Sequence, residues 1–145
     1  VRKEAFEKMN TDVDFKIQGY DIDKEAVMIA QKNAELAGVE DYVEFKVFNA
    51  KNFESEEKFG FIVTNPPYGE RLEDKQTVKK LYKDLGYAFK ELKTWSYYMV
   101  TSYEDFENAF NKKATKKRKL YNGRLKTYIY QYIGPKPPKY MNNNK

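Results

Sequence analysis

The chain has 145 residues and a formal net charge of +5, with 34% charged and 17% aromatic residues. Thirteen Tyr and ten Phe are enough to build one packed core despite that charge. There is no Cys and no His, which excludes disulfide scaffolds, thiolate chemistry, His–zinc sites, Ser-His triads and imidazole acid–base catalysis. No run approaches the length of a bilayer span and no signal peptide opens the chain. The expectation is therefore a soluble, cytoplasmic protein with no membrane and no metal partner. The positive balance is compatible with a polyanion.

Residues 1–10 place Ala5, Phe6 and Met9 at spacings suited to a short amphipathic helix. The chain begins there in mid-element and without Met, as a fragment would. Residues 15–20 read as a strand leading into Gly19-Tyr20-Asp21. Asp23 is a plausible N-cap for a helix to about Ala37, with Ala26, Ile29, Ala30, Asn33, Ala34 and Ala37 on one stripe. Gly38 stands where a helix-terminating glycine belongs. Residues 42–48 alternate as a strand, and residues 59–64 form the next, buried from Phe61 to Thr64.

A long helix is predicted from Asp74 to about Lys93, with Val78, Leu81, Tyr82, Leu85, Ala88, Phe89 and Leu92 at helical spacing. Residues 96–101 are a buried strand. Ser102 followed by Asp105 resembles a capping box opening a short helix with Phe106, Ala109 and Phe110. Residues 116–121, Asn122-Gly123 and residues 125–133 read as a hairpin. Tyr128, Tyr130 and Tyr132 alternate along its second arm as sheet-face core rather than a stacking platform. A Pro-rich, then Asn-rich tail follows, expected to be disordered over residues 139–145. Strands and helices that alternate in this way argue for an α/β fold with a mostly parallel sheet, closed here by an antiparallel hairpin.

Chemistry concentrates in Asn65-Pro66-Pro67-Tyr68. The prolines cannot donate to a ladder, so the strand must stop at Asn65. Asn65 is itself pushed toward extended geometry by the proline that follows. The stiff turn would present an amide oxygen, proline carbonyls and an aromatic ring. The Asn65 oxygen and the Pro66 carbonyl could accept both N–H groups of a planar amine while Tyr68 stacks on its ring. A plain strand-ending proline turn is the other reading.

Asn-Pro-Pro-Tyr resembles the motif of S-adenosylmethionine-dependent amino-methyltransferases. Its continuation Gly69-Glu70-Arg71-Leu72 is similar to that of the THUMP-associated RNA methyltransferases, which act on the guanine 2-amino group of large-subunit ribosomal RNA. The resemblance runs from about Gly19 to Pro138. It implies a Rossmann-like methyltransferase sheet over residues 1–138, S-adenosyl-L-methionine as cofactor, rRNA as partner and an upstream THUMP domain. Its nearest rivals are adenine-N6 methyltransferases of nucleic acids and glutamine methyltransferases of release factors. A non-catalytic RNA-binding module of the same fold belongs to another class.

Asp21 closes the first strand, where its carboxylate suits either a pair of vicinal ribose hydroxyls or a helix cap. The resemblance of Gly-Tyr-Asp-Ile-Asp to the family's ribose-binding segment implies the former, with Ile22 against the adenine ring. Asn49-Ala50 stands where the family carries an Asp that accepts from the adenine 6-amino group; an Asn there keeps an acceptor and loses the charge, and a solvated turn Asn is the other reading. The resemblance also implies Asn65 on the cofactor side, besides its place at the amine. The family's acidic, glycine-rich first motif is missing, since no two of the seven glycines share a nucleotide-loop spacing. The first strand and its glycine loop are thus expected to lie before Val1. By itself this fragment should bind the cofactor poorly and be inactive. An exposed or repaired gap is also expected between the strand at 15–20 and that at 59–64.

On the substrate side, Tyr68 is assigned to base stacking. Glu70 and Arg71 order the loop as an ion pair, touch the base edge and a phosphate, or are simply a solvated loop pair. Residues 112–119 hold six cations, either a phosphate-contacting surface or a solvated edge.

Overall fold

The computed structural model describes Glu4, Phe15, residues 17–68 and residues 74–139. The helix expected over residues 1–10 lies outside these apart from Glu4, as do residues 69–73 and the tail from residue 140. The chain divides into two compact units, Val1–Ala50 and Lys51–Lys145.

The first unit is a β–α–β element: β1 (Ile17–Asp21), α1 (Lys24–Ala37) and β2 (Val43–Val47). The strands pair in parallel, from Ile17 opposite Val43 to Asp21 opposite Val47, as a crossover helix requires. Asp23 caps α1 through its carboxylate, which accepts from the Glu25 N–H at 2.8 Å. Gly38 closes the helix in the left-handed region at φ +67°, its N–H on the Glu35 carbonyl and that of Val39 on Ala34. The expected stripe is corrected. Val27 and Ala34 are buried and Ala26 and Ala30 half-buried, whereas Ile29, Asn33 and Ala37 are exposed. This helix is apolar on most sides, so periodicity leaves the choice of face open, and two strands cover only a narrow face. Both strands are shorter than expected, and exposed Phe15 precedes β1.

The second unit contains β3 (Phe61–Thr64), α2 (Asp74–Lys90), β4 (Ser96–Thr101), α3 (Phe106–Ala109), β5 (Lys116–Asn122) and β6 (Leu125–Tyr132). Its sheet has the order β3-β4-β6-β5, with β3 and β4 parallel and the hairpin antiparallel. The core lies between one sheet face and the two helices. Val78, Tyr82, Leu85 and Phe89 of α2, with Phe106, Ala109 and Phe110, meet Tyr97, Met99, Tyr130 and Tyr132. Ring pairs dominate it, with Phe106–Tyr130 centroids at 4.5 Å and Tyr97–Tyr132 at 4.8 Å. No helix among the described residues is long and apolar enough to cross a membrane.

Four local expectations change. β3 is an edge strand among the described residues, and Phe61 and Val63, on the face opposite the core-packed Ile62, are 72% and 77% exposed. α2 stops at Lys90, because Leu92 N–H turns back to Phe89 O and Trp95 N–H to Leu92 O. Ser102 opens no capping box: Asp105 is the N-cap residue without a side-chain cap bond, and its carboxylate takes the Asn108 amide instead. The hairpin turn is Gly123-Arg124 rather than Asn122-Gly123, since Asn122 pairs with Leu125. Gly123, at φ +60°, occupies the first central position, the one where such a two-residue turn needs a positive φ.

Gly86 lies inside α2, where alanine would ordinarily add about 1 kcal/mol of helix propensity. A Cβ there would stand 2.2 Å from the Phe110 carbonyl oxygen, a backbone atom that cannot swing away. Gly86→Ala is therefore expected to destabilise the protein by about 1–3 kcal/mol in denaturant titration. A gain in stability would refute this reading of the helix contact.

Candidate active site

Pro66 and Pro67 end β3 by removing the N–H groups that a ladder would need. Asn65 and Pro67 are exposed, Pro66 is buried and Tyr68 is half-buried. The Tyr68 hydroxyl folds back to donate to Asn65 Oδ1 at 2.5 Å. The ring assigned to substrate stacking and the amide assigned to the amine are thus already in contact.

The turn is tied to the core by one side chain. Tyr82 Oη donates to the Pro67 carbonyl at 2.8 Å and lies 2.7 Å from Thr101 Oγ1. A carbonyl can only accept, so the single Tyr82 proton goes to Pro67 and Thr101 donates to Tyr82. Thr101 Oγ1 in turn accepts the Tyr103 N–H at 3.0 Å. The chain Tyr103 N–H, Thr101, Tyr82, Pro67 carbonyl uses every proton in one direction. The Tyr82 ring is fully buried, edge-on to Tyr103 and Phe106. Burial pushes its hydroxyl up to about 12, outweighing the opposing bond from Thr101.

Neither Tyr82 nor Thr101 emerges as a site residue from the sequence, where Tyr82 is one of a core stripe and Thr101 a strand end. The available signal is a phenol where Leu or Phe would fill the stripe equally well.

Of the five residues assigned to the cofactor, Asn65 lies in the second unit, and the other four gather at the carboxyl end of the parallel β1–β2 pair of the first, the end where ligands bind in open α/β sheets. Asp21 is the last residue of β1, and its backbone carbonyl accepts the Phe48 N–H at 2.7 Å. Its Oδ1 accepts the Asp23 N–H at 2.9 Å, which holds the carboxylate at the start of α1. Both readings of Asp21 thus have a place: it orders the turn into the helix while remaining exposed. Ile22 is 68% exposed beside it. Asn49 is half-buried and Ala50 opens a short turn, both just past the end of β2. Glu70 and Arg71 lie outside the described residues, with Gly69 and Leu72.

The cations at 112–119 do not act alike. Lys112 donates to the Tyr97 hydroxyl at 2.6 Å and sits over the Tyr97 and Tyr132 rings, so it is engaged internally.

Because the folded-state value of Tyr82 lies above the ordinary phenol value of 10.0, its protonated form is favoured by folding. Its contribution is complete below pH 10 and is lost as the pH rises through about 12. Tyr82→Phe leaves the Pro67 and Thr101 oxygens without their partner and is expected to cost about 1–2 kcal/mol at neutral pH. It should also remove a phenol that ionises near pH 12 from a 295 nm absorbance titration. An unchanged stability and an unchanged high-pH step would contradict the hydrogen-bond chain.

Residues 1–131 match the sequence profile described as UPF0020, RMKL-like methyltransferase domain. YpsC of Bacillus subtilis (strain 168), provisionally named an RNA methyltransferase, is 53% identical over 90% of this chain and 34% of its own length. The ribosomal RNA large subunit methyltransferase K/L of Shewanella sp. (strain W3-18-1) is 42% identical over 82% of this chain and 17% of its own. The chain thus spans about a third or less of the curated relatives it matches. A crystal structure of a methylase candidate from Clostridium difficile 630 superposes with a TM-score of 0.88 at 65% identity, over 95% of this chain and 37% of that one. SMU.472, a methyltransferase candidate crystallised with SAH, gives 0.87 at 44% identity, over 94% and 36%. A profile match across nine-tenths of the sequence, on an α/β scaffold of this kind, establishes that the chain belongs to the UPF0020 family of RMKL-like methyltransferase domains.

Proposed function

We propose that the chain is part of an S-adenosylmethionine-dependent RNA methyltransferase that modifies the exocyclic 2-amino group of a guanine in large-subunit rRNA. The observation that carries this reading is the exposed Asn65 amide at the carboxyl end of a strand parallel to its neighbour, on a turn braced from the core by Tyr82. The relative crystallised with SAH supports the cofactor, and the K/L relative supports the rRNA substrate. The continuation Gly69-Glu70-Arg71-Leu72 favours guanine over adenine and over a protein glutamine.

The donor set fits a nucleoside cofactor. Asp21 offers carboxylate oxygens to a vicinal diol, exposed Ile22 offers an aliphatic face to a flat ring, and Asn49 with Ala50 borders the same end of the β1–β2 pair. S-Adenosylmethionine, when bound, supplies an electrophilic methyl group. On the substrate side, Asn65 Oδ1 and the Pro66 carbonyl each accept one N–H of the amine, turning its lone pair out of conjugation with the ring. The Pro67 carbonyl is already occupied by Tyr82 and serves to fix the turn. The Tyr68 hydroxyl holds the Asn65 oxygen until the amine replaces it, and its ring then stacks on the base. Positioning carries the catalysis, with no covalent enzyme intermediate.

The test uses the intact protein and S-adenosylmethionine carrying a labelled methyl group. Unmodified large-subunit rRNA, duplex DNA and a glutamine-bearing release-factor peptide are offered in turn. Nucleoside analysis of the RNA should return N2-methylguanosine. N6-methyladenosine would overturn the guanine assignment, and label in DNA or peptide alone would overturn the RNA assignment.

A further inference from the structure

The longest stretch of cations uninterrupted by acids lies near the end of the chain. Residues 111–139 contain ten Lys or Arg and no Asp or Glu, so the remaining 116 residues, with 17 cations against 22 acids, are net negative. Most of the ten cations lie on or beside the β5–β6 hairpin.

Cross-strand partners in an antiparallel pair share a face. Lys117 is opposite Tyr130, Lys119 opposite Tyr128 and Tyr121 opposite Lys126, so a cation meets a ring at each of three successive steps. The ammonium of Lys117 stands 4.1 Å from the Tyr128 ring centre, that of Lys119 5.1 Å from Tyr121 and that of Lys126 5.3 Å from Tyr128. The inner end of this row belongs to the core, since Tyr130 is buried. The outer end does not: Tyr121 is 65% exposed, and Lys119, Arg124 and Lys126 are exposed.

The register also fixes where the outer end lies. Thr64 pairs with Met99, Met99 with Tyr130 and Tyr130 with Lys117, in one row across the sheet. Two residues further along stand Thr101, Tyr128 and Lys119. The Asn65–Tyr68 turn and the outer half of the hairpin therefore leave the sheet from the same end. At strand spacings of about 4.8 Å, β6 and β5 run roughly 10 and 14 Å from β3.

We propose that the outer hairpin face formed by Lys119, Tyr121, Arg124 and Lys126 is a single-stranded RNA track that holds the segment adjoining the target nucleotide. The cations neutralise phosphates and Tyr121 stacks on a base, the combination by which proteins hold single strands without reading their sequence. Alternation of rings with cations suits this polymer better than an acidic peptide, which has charge but few flat faces. The inference rests on the RNA reading of the preceding section.

The experiment is fluorescence anisotropy of the intact protein with a labelled 12-nucleotide single-stranded RNA, as a function of KCl. K119Q/K126Q should lower the slope of log affinity against log salt by about 1.4, near 0.7 per phosphate contact, and weaken binding at least tenfold at 0.1 M. Tyr121→Ala should weaken it at least fivefold, and Tyr121→Phe should not. K90Q/K93Q removes the same charge at the opposite end of the sheet and should leave the slope unchanged. SAH affinity, measured by calorimetry, should stay at the wild-type value in every variant. RNA binding by wild type with the same slope and affinity in K119Q/K126Q overturns the track alone. Failure of the wild type to bind any RNA overturns both the track and the RNA reading.

Discussion

The second unit depends on one phenol hydroxyl. Tyr82 fills the centre of the core with its ring and holds the candidate catalytic turn with its oxygen. A turn of two prolines has few N–H groups with which to anchor itself, so its fixed points must come from elsewhere. Here they come from α2, which returns across β4 and brings Tyr82 under the end of β3. Thr101 completes the arrangement by orienting the phenol proton toward Pro67. Under the proposed function the turn acts by positioning, which requires a rigid support behind it, and a buried aromatic layer supplies one.

Both units apply the same structural rule. In each, parallel strands bring polar residues to their carboxyl ends, where backbone groups are released from the ladder and side chains can converge on a ligand. The first unit places an acid and an exposed aliphatic side chain there, suited to a nucleoside; the second places an amide and a phenol, suited to an amine on a ring. The charge follows a third pattern. Its densest acid-free run is the segment that builds the hairpin, which gives a polyanion a defined place to bind on the second unit.

The elements with strong local signals were legible in the sequence. Asp23 and Gly38 bound α1 because a cap acid and a left-handed glycine each satisfy backbone groups that nothing else nearby can reach. The α2 stripe was legible because Val78, Tyr82, Leu85 and Phe89 are buried in one core, with Leu81 and Ala88 packed against it. The α1 stripe was not, since a helix apolar on several sides does not show which side its partners occupy. The burial of β3 was overestimated for a related reason: a β-branched run looks the same in a central and in an edge strand. The hairpin turn slipped by one residue because Asn-Gly and Gly-Arg both offer a glycine, and only pairing across the strands decides which position it takes. Of the candidate site, the turn at Asn65 to Tyr68 was legible because two prolines must end the ladder of the strand before them. Tyr82 was hidden, because its contribution is a hydrogen bond between residues fifteen positions apart.

The central claim is that the Asn65 amide oxygen engages the amine during methyl transfer. Its most direct test is single-turnover methyl transfer by Asn65→Ala in the intact protein, with SAH affinity measured alongside. The account predicts a rate constant at least a hundredfold lower, comparable to losing one preorganised transition-state partner, with SAH affinity within a few-fold of wild type. An unchanged rate constant would contradict it and return the Asn-Pro-Pro-Tyr turn to a purely structural role.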